Sequence, residues 1–158
     1  MADNAKEDCV DLDTVFTDLV RVETRLYNAV EQRVRAAAGV GAGHFELLRY
    51  VREHPDARVA DLASVFAIGV GTTSKIVDRL ENLGWLERRP NPANRRSSLL
   101  ALTPAGESVV SQAEPAWQAA IQETLGGAVT PDELAALSLA LGALRRDLER
   151  RGLGLPTG

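Results

Sequence analysis

The stretch from Val59 to Gly106, VADLASVFAIGVGTTSKIVDRLENLGWLERRPNPANRRSSLLALTPAG, constrains the fold more than any other part of the chain. Apolar residues at helical spacing over 59–66, and again over about 70–83, describe two short helices separated by a tight turn. Gly84 stands where a left-handed residue closes a helix. Two runs, about 85–89 and 98–102, then read as strands. The loop between them, Pro90-Asn91-Pro92-Ala93-Asn94-Arg95-Arg96, consists of turn formers capped by two arginines. Two crossing helices followed by a hairpin form the pattern of a winged helix-turn-helix. Leu62, Phe66, Ile68 and Ile76 fall where such helices bury side chains, and Ala63 is small enough for close approach. Ala67 occupies the turn, where Gly is commoner.

The flanking segments are helical. Leu12, Val15, Phe16, Leu19, Val22, Leu26, Val30 and Val34 repeat at helical spacing and predict a long helix over 11–37, broken by Gly39, Gly41 and Gly43. A helix over 43–53 carries Phe45, Leu48 and Val51 and ends near Pro55. Thr103-Pro104 restarts a helix that runs to about Leu125, where Gly126-Gly127 breaks it. Thr130-Pro131-Asp132-Glu133 has the form of a capping box at the head of a last helix, 131–151. Its leucines, Leu134, Leu137, Leu141, Leu144 and Leu148, alternate steps of three and four as in a coiled-coil seam.

These elements predict a mainly α protein of six helices with a small two- to three-stranded β-wing. Residues 1–10 read as a mobile acidic tail, 11–151 as one domain and 152–158 as a frayed end. Within the domain, 43–103 form a DNA-binding lobe. The helices in 11–37 and 104–151 are too long to bury their own apolar stripes on so small a lobe, and a second copy of the chain is the simplest partner. Leu12, Phe16, Leu19, Leu134, Leu137, Leu141, Leu144 and Leu148 are the expected dimer contacts.

Charge distribution supports a nucleic-acid reading despite a net charge of −4. From Lys75 to Arg96 there are six basic and three acidic residues, a balance of +3; the remaining 12 basic and 19 acidic residues give −7. An acidic body with one basic edge orients a protein on DNA. A single cysteine, Cys9, excludes an intramolecular disulfide and fits a reducing cytoplasm. No run of about 18 apolar residues suggests a membrane span, and the acidic N-terminus lacks a hydrophobic signal core. No pairing of nucleophile and base and no phosphate loop appears, so an enzyme is not expected, and neither is a cofactor.

The second helix of the pair opens Gly71-Thr72-Thr73-Ser74-Lys75, with Arg79 one turn beyond Lys75. Short hydroxyls and a Lys at a helix start suit phosphate and base-edge contacts. Taken alone, the same residues describe an ordinary polar cap with solvated charges; the wing that follows favours DNA. Asn94, Arg95 and Arg96 lie at the hairpin tip, where Arg can enter a narrow minor groove. Arg95 is the favoured DNA-facing residue of the two, and the other arginine can instead brace the loop against the recognition helix. Trp85 reads as core beneath the wing.

The chain resembles the MarR family of bacterial transcription regulators. The resemblance rests on Val77-Asp78-Arg79-Leu80-Glu81, on Gly84-Trp85-Leu86-Glu87-Arg88, and on the wing Asn91-Pro92-Ala93-Asn94-Arg95-Arg96 leading into Leu102-Thr103-Pro104-Ala105-Gly106. His44-Phe45-Glu46-Leu47-Leu48 is similar to the family's Gln-Phe-x-x-Leu start of the second helix. The resemblance implies a homodimer held by the first, fifth and sixth helices. It also implies a palindromic double-stranded operator and, often, repression relieved by a small aromatic, phenolic or lipophilic ligand. Family ligands lodge between the dimer helices and the lobe, which makes Tyr27, Phe45, Arg49 and Trp117 candidates to border a pocket; taken singly, the aromatics read more readily as core and Arg49 as a solvated charge. Both acids of the family wing are replaced, by Asn91 and Asn94, which can hold turns but cannot pair with Arg95 or Arg96.

Two other readings use the same residues. A winged helix can serve as a protein-interaction module without an operator. A thiol-based regulator would act through Cys9, although neighbouring Glu7, Asp8 and Asp11 disfavour a thiolate. His44, His54 and Cys9 lack the spacing of a metal site.

Overall fold

In a computed structural model, residues 10–156 of the chain are described. Their order is α1 Leu12–Ala38, α2 Ala42–Glu53, α3 Val59–Val65, α4 Val70–Asn82, β1 Leu86–Pro90, β2 Ser98–Leu102, α5 Pro104–Ile121, a π-helical turn Gln122–Gly126 and α6 Pro131–Arg151. This is the expected helical protein with a wing, and several boundaries have a local cause.

Asp11 caps α1, its carboxylate accepting from the backbone N–H groups of Asp13 and Thr14 at 3.2 Å each. Gly39 closes α1 at φ +67°. Gly84 ends the α4 turn at φ +72°, the left-handed role its position suggested. Thr130 and Glu133 cap α6 reciprocally, with the Thr130 N–H donating to the Glu133 carboxylate at 2.8 Å and the Glu133 N–H to the Thr130 hydroxyl at 3.3 Å. At the head of α3 the cap is an arginine: Arg58 donates from its backbone and its guanidinium to Asp61 at 2.8–2.9 Å.

Three expectations are made more specific, and the two-stranded wing is one of the two forms expected. The wing has two strands among the described residues, antiparallel, with Leu86 opposite Leu102 and Pro90 opposite Ser98. In place of a third strand, one backbone bond docks the chain before α3 on β2: the Leu100 N–H donates to the Ala57 carbonyl at 2.8 Å. The fifth helix does not run on unchanged to Leu125. It widens into a π-helical turn after Ile121, where the Thr124 hydroxyl also donates to the Ala120 carbonyl at 2.7 Å. At the far end, residues 152–156 turn back instead of splaying away. Gly152 is left-handed, the Leu153 N–H donates to the Leu148 carbonyl at 3.0 Å, and Pro156 approaches Gly69 in the α3–α4 turn. The acidic tail and Cys9 lie outside the described residues.

The core fills the space between the C-terminal half of α1, α2, the helix-turn-helix, the wing base and α5. Val34, Phe45, Leu48, Leu62, Val77, Leu80, Leu86, Leu100 and Val110 are fully buried there. The Leu-Thr-x-x-Gly segment is part of this construction. Thr103 caps α5, accepting from the Gly106 N–H at 3.1 Å and donating to the Gly84 carbonyl. A Cβ on Gly106 would sit 1.9 Å from the Trp85 carbonyl oxygen, so only glycine fits. Trp85 itself is half-buried against the core, as read from its position.

The first half of α1 and all of α6 remain outside that core. α6 has no buried residue, and α1 buries only Val30 and Val34. Leu12 is 78% exposed and Phe16 68%; Leu19, Leu137, Leu141, Leu144 and Leu148 are also exposed, and Leu134 is half-buried. A groove of about 910 Å³ runs between α1 and α6, lined by Leu19, Val22, Leu26, Leu137 and Leu141 and reaching Tyr27 and Trp117 at one end.

Candidate nucleic-acid interface

Helix α4 buries one face and presents the other. Val77 and Leu80 lie in the core, while Thr72, Lys75 and Arg79 are exposed and Ser74 is half-exposed. Lys75 and Arg79 are four residues apart and share a face. Thr73 is a correction. It is fully buried, and its hydroxyl donates to the Gly69 carbonyl at 3.1 Å, so its side chain is turned away from any base edge. Its polar character hides its helical phase, which matches the buried stripe through Val77 and Leu80.

Two Asn side chains build the wing tip from within. Asn91 accepts from the Ala93 N–H at 2.9 Å and donates to the Ser97 hydroxyl at 2.9 Å. Asn94 accepts from the Arg96 N–H at 3.0 Å, and its carbonyl accepts from the Ser97 N–H at 3.1 Å. These are the turns that an Asn can hold without a charged partner. Arg95 and Arg96 project from this frame, both exposed.

The brace between wing and recognition helix is neither of them. It is Arg88 on β1, which donates to Asp78 at 2.6 Å and also to Glu81. This role escapes a reading of the sequence alone. The available signal is a pair of acids one turn apart on an otherwise basic helix. Arg89 pairs with Glu87 at 2.7 Å. The basic edge is therefore narrower than its six positive residues suggest. Among the described residues, Lys75, Arg79, Arg95 and Arg96 form no ion pair, and these four remain available to phosphates. Arg79 also acts on α2: burial first, and then the Arg79 guanidinium, hold His44 below the usual imidazole range.

The four candidate ligand residues divide. Tyr27 and Trp117 line the α1–α6 groove; Phe45 and Arg49 do not. Phe45 is fully buried, with its ring 5.1 Å from that of Trp117. The Arg49 guanidinium covers both rings, 5.2 Å from Phe45 and 4.9 Å from Trp117. This packing, which residue type alone does not reveal, lays Arg49 over two aromatic rings of the core. Tyr27 donates to Glu46 at 3.1 Å, and burial together with that carboxylate pushes its phenol well above the usual range. His54 is stacked on Tyr50 at 3.9 Å, and no group of three metal-ligating side chains occurs among the described residues. Among those residues, no single helix is long and apolar enough to cross a membrane.

A helix-turn-helix with a cationic outer face and an arginine-tipped wing defines the winged-helix class. Known proteins narrow the class. The MarR family description matches residues 42–98. The chain is 30% identical over 133 residues to the multiple antibiotic resistance protein MarR of Salmonella typhimurium, spanning 80% of this chain and 92% of that protein. Among solved structures it is similar to Sco3205 of Streptomyces coelicolor, a MarR family transcriptional regulator in complex with DNA, with a TM-score of 0.82 and 24% identity over 91% of each chain. It is similar to a mutant MarR from E. coli complexed with operator DNA, with a TM-score of 0.74 and 27% identity over 85% of this chain and 98% of that one. BpsR of Bordetella bronchiseptica, described for the regulation of its DNA binding by 6-hydroxynicotinic acid, has a TM-score of 0.74 and 26% identity over 84% of this chain and 98% of that one. The chain belongs to the MarR family of DNA-binding transcriptional regulators, which are not enzymes.

Proposed function

We propose that this regulator is a homodimeric repressor that binds a palindromic operator and is released from it by a small aromatic or lipophilic effector. The observation that carries the DNA-binding mode is the set of four unpaired cations, Lys75 and Arg79 on α4 and Arg95 and Arg96 on a wing tied to α4 by Arg88. Thr72, Ser74, Lys75 and Arg79 enter the major groove, and Asn94, Arg95 and Arg96 reach the flanking backbone or minor groove. The lobe over 43–103 is the reading head.

The exposed apolar faces of α1 and α6, including Leu12, Phe16, Leu137, Leu141, Leu144 and Leu148, favour association with a second copy. A two-fold dimer places two reading heads on half-sites about one DNA turn apart. The effector reading rests on the same groove, which Tyr27, Trp117, Glu23, Arg145 and Arg146 line together with Leu19, Leu134, Leu137 and Leu141 of the dimer face, so the site it proposes lies at the dimer seam. Its apolar walls and few polar groups suit a small ring compound, and the regulation of BpsR by 6-hydroxynicotinic acid is a parallel from a relative. A ligand there acts by favouring a dimer whose heads no longer match the half-site spacing.

Fluorescence anisotropy with the chain's own upstream DNA tests this reading, against scrambled DNA of equal length, followed by displacement with aromatic acids. The expected result is tight binding to the specific duplex, weak binding to the scrambled one and release by at least one acid. Absence of binding to either duplex at low salt overturns it.

A further inference from the structure

The chain beyond α6 returns to the helix-turn-helix. Gly152 and Gly154 are both left-handed, at φ +61° and +80°. The first closes α6, and the Leu153 N–H donates to the Leu148 carbonyl at 3.0 Å, which folds the chain back on its own helix. Pro156 then reaches the α3–α4 turn: a Cβ on Gly69 would lie 3.9 Å from the Pro156 Cβ, an ordinary van der Waals contact. Between these two ends, Leu153 and Leu155 border a cavity of about 550 Å³, with Val65 and Ala67 on one side and Leu144 and Leu148 on the other. Residues 152–156 therefore bridge the gap between α6 and the turn that leads into α4.

The point they touch governs the recognition helix. Gly69 is the N-cap of α4, and its carbonyl accepts from both the N–H of Thr73, at 2.9 Å, and the Thr73 hydroxyl, at 3.1 Å. Ala67, two residues earlier, holds the turn at φ +50°. A displacement of this turn carries the head of α4 with it. No ion pair competes with the tail for this coupling. Among the described residues those of α6, Arg145 with Glu149 and Asp147 with Arg150 and Arg151, all lie within the helix.

We infer that residues 152–156 are a strap that holds each reading head to its own α6 and so fixes the half-site spacing the dimer accepts. The inference rests on the dimeric operator reading above. One added base pair shifts a half-site by about 3.4 Å and turns it by about a tenth of a helical turn. A head that follows must leave the strap. Giving up the equivalent of one buried methylene group costs about fourfold in affinity.

The test uses the whole chain and an operator that it selects from a random duplex library. One base pair is then added to or removed from the centre of that operator. Wild type is expected to lose at least about fourfold more at each altered spacing than Leu155→Asp combined with Pro156→Gly, which releases the tip of the strap. Thermal melts and sizing chromatography check that this variant keeps its fold and assembly. A second variant tests the placement without DNA. Gly69→Cys with Pro156→Cys, in a Cys9→Ser background, puts two thiols at a separation a disulfide can bridge. Mild oxidation is expected to give a monomer-sized band in a non-reducing gel. No disulfide, or linked dimers alone, overturns the strap, as do equal spacing penalties in wild type and the released variant; the operator reading survives both results. If selection enriches no sequence, the operator reading itself fails and the role of the strap in spacing fails with it.

Discussion

Arg88 on β1 lies 2.6 Å from Asp78 on α4 and also grips Glu81, so one guanidinium ties the wing to the recognition helix. Arg88 is about a quarter exposed, and Asp78 more than half. The contribution to stability is modest as a result, about 1 kcal/mol after solvent screening. The larger consequence is geometric. Two acids next to the phosphate-binding edge share one guanidinium, which halves their net charge and also ties the wing to α4. Arg88→Ala is expected to lower affinity for all duplexes, specific and scrambled alike, while the melting temperature falls only slightly. Anisotropy and a thermal melt on the same sample measure both; unchanged binding would leave the brace without a role in DNA contact.

Thr72 and Thr73 are neighbours in sequence and opposites in structure. Thr72 is exposed, whereas Thr73 is buried and bonded to Gly69. Thr73→Val is expected to keep the operator preference at a cost of about 1 kcal/mol in stability. Thr72→Ala is expected to alter the preference with little effect on stability. Competition with single-base operator variants separates the two, and a loss of preference in Thr73→Val would contradict the phase assigned to α4.

Ala67 turns the chain between α3 and α4 at φ +50°, the one non-glycine residue at positive φ among those described. A left-handed alanine is strained by about 1–2 kcal/mol. Ala67→Gly is expected to stabilise the protein by about 1 kcal/mol after the added chain entropy, or roughly 3 °C in melting temperature. A lower melting temperature in calorimetry would show that the Ala67 side chain makes compensating contacts.

The arginine cap of α3 gives a pH signature. The Arg58 side chain, and then its backbone N–H, hold the Asp61 carboxyl below the usual aspartate value of 3.8, against the effect of burial. A depressed folded value means stability that is fully present above about pH 4 and lost as pH falls through the folded value. Asp61→Asn is expected to lack this acid-dependent component. Its stability below about pH 4 is therefore expected to fall less steeply than that of wild type in urea titrations. Parallel curves would remove Asp61 from the acid response.

Much of the architecture is legible in the chain because local chemistry decides it. The Thr130–Glu133 box, Thr103-Pro104 and Gly84 mark their own boundaries. What sequence does not supply is the partner of a side chain across the fold. Arg88 reads as one of six positive charges until α4 is packed beside β1. Phe45 reads more readily as core than as pocket wall, but that Arg49 lies over the Phe45 and Trp117 rings is known only from the packing. Thr73 reads as a base-contacting hydroxyl by residue type, but its helical phase puts it in the core. The π-helical turn after Ile121, which also carries the Thr124–Ala120 hydroxyl–carbonyl bond, is announced by no periodicity.

If the wing and α4 grip phosphates through their unpaired cations, DNA affinity must depend on salt through those residues. The most direct measurement compares that dependence for wild type and Arg95→Ala. Each lost phosphate contact reduces the slope of log K against log salt by roughly 0.9, and a dimer loses two. The expected result is weaker binding to every duplex and a slope shallower by about 1.8. An unchanged affinity and slope would contradict the phosphate grip.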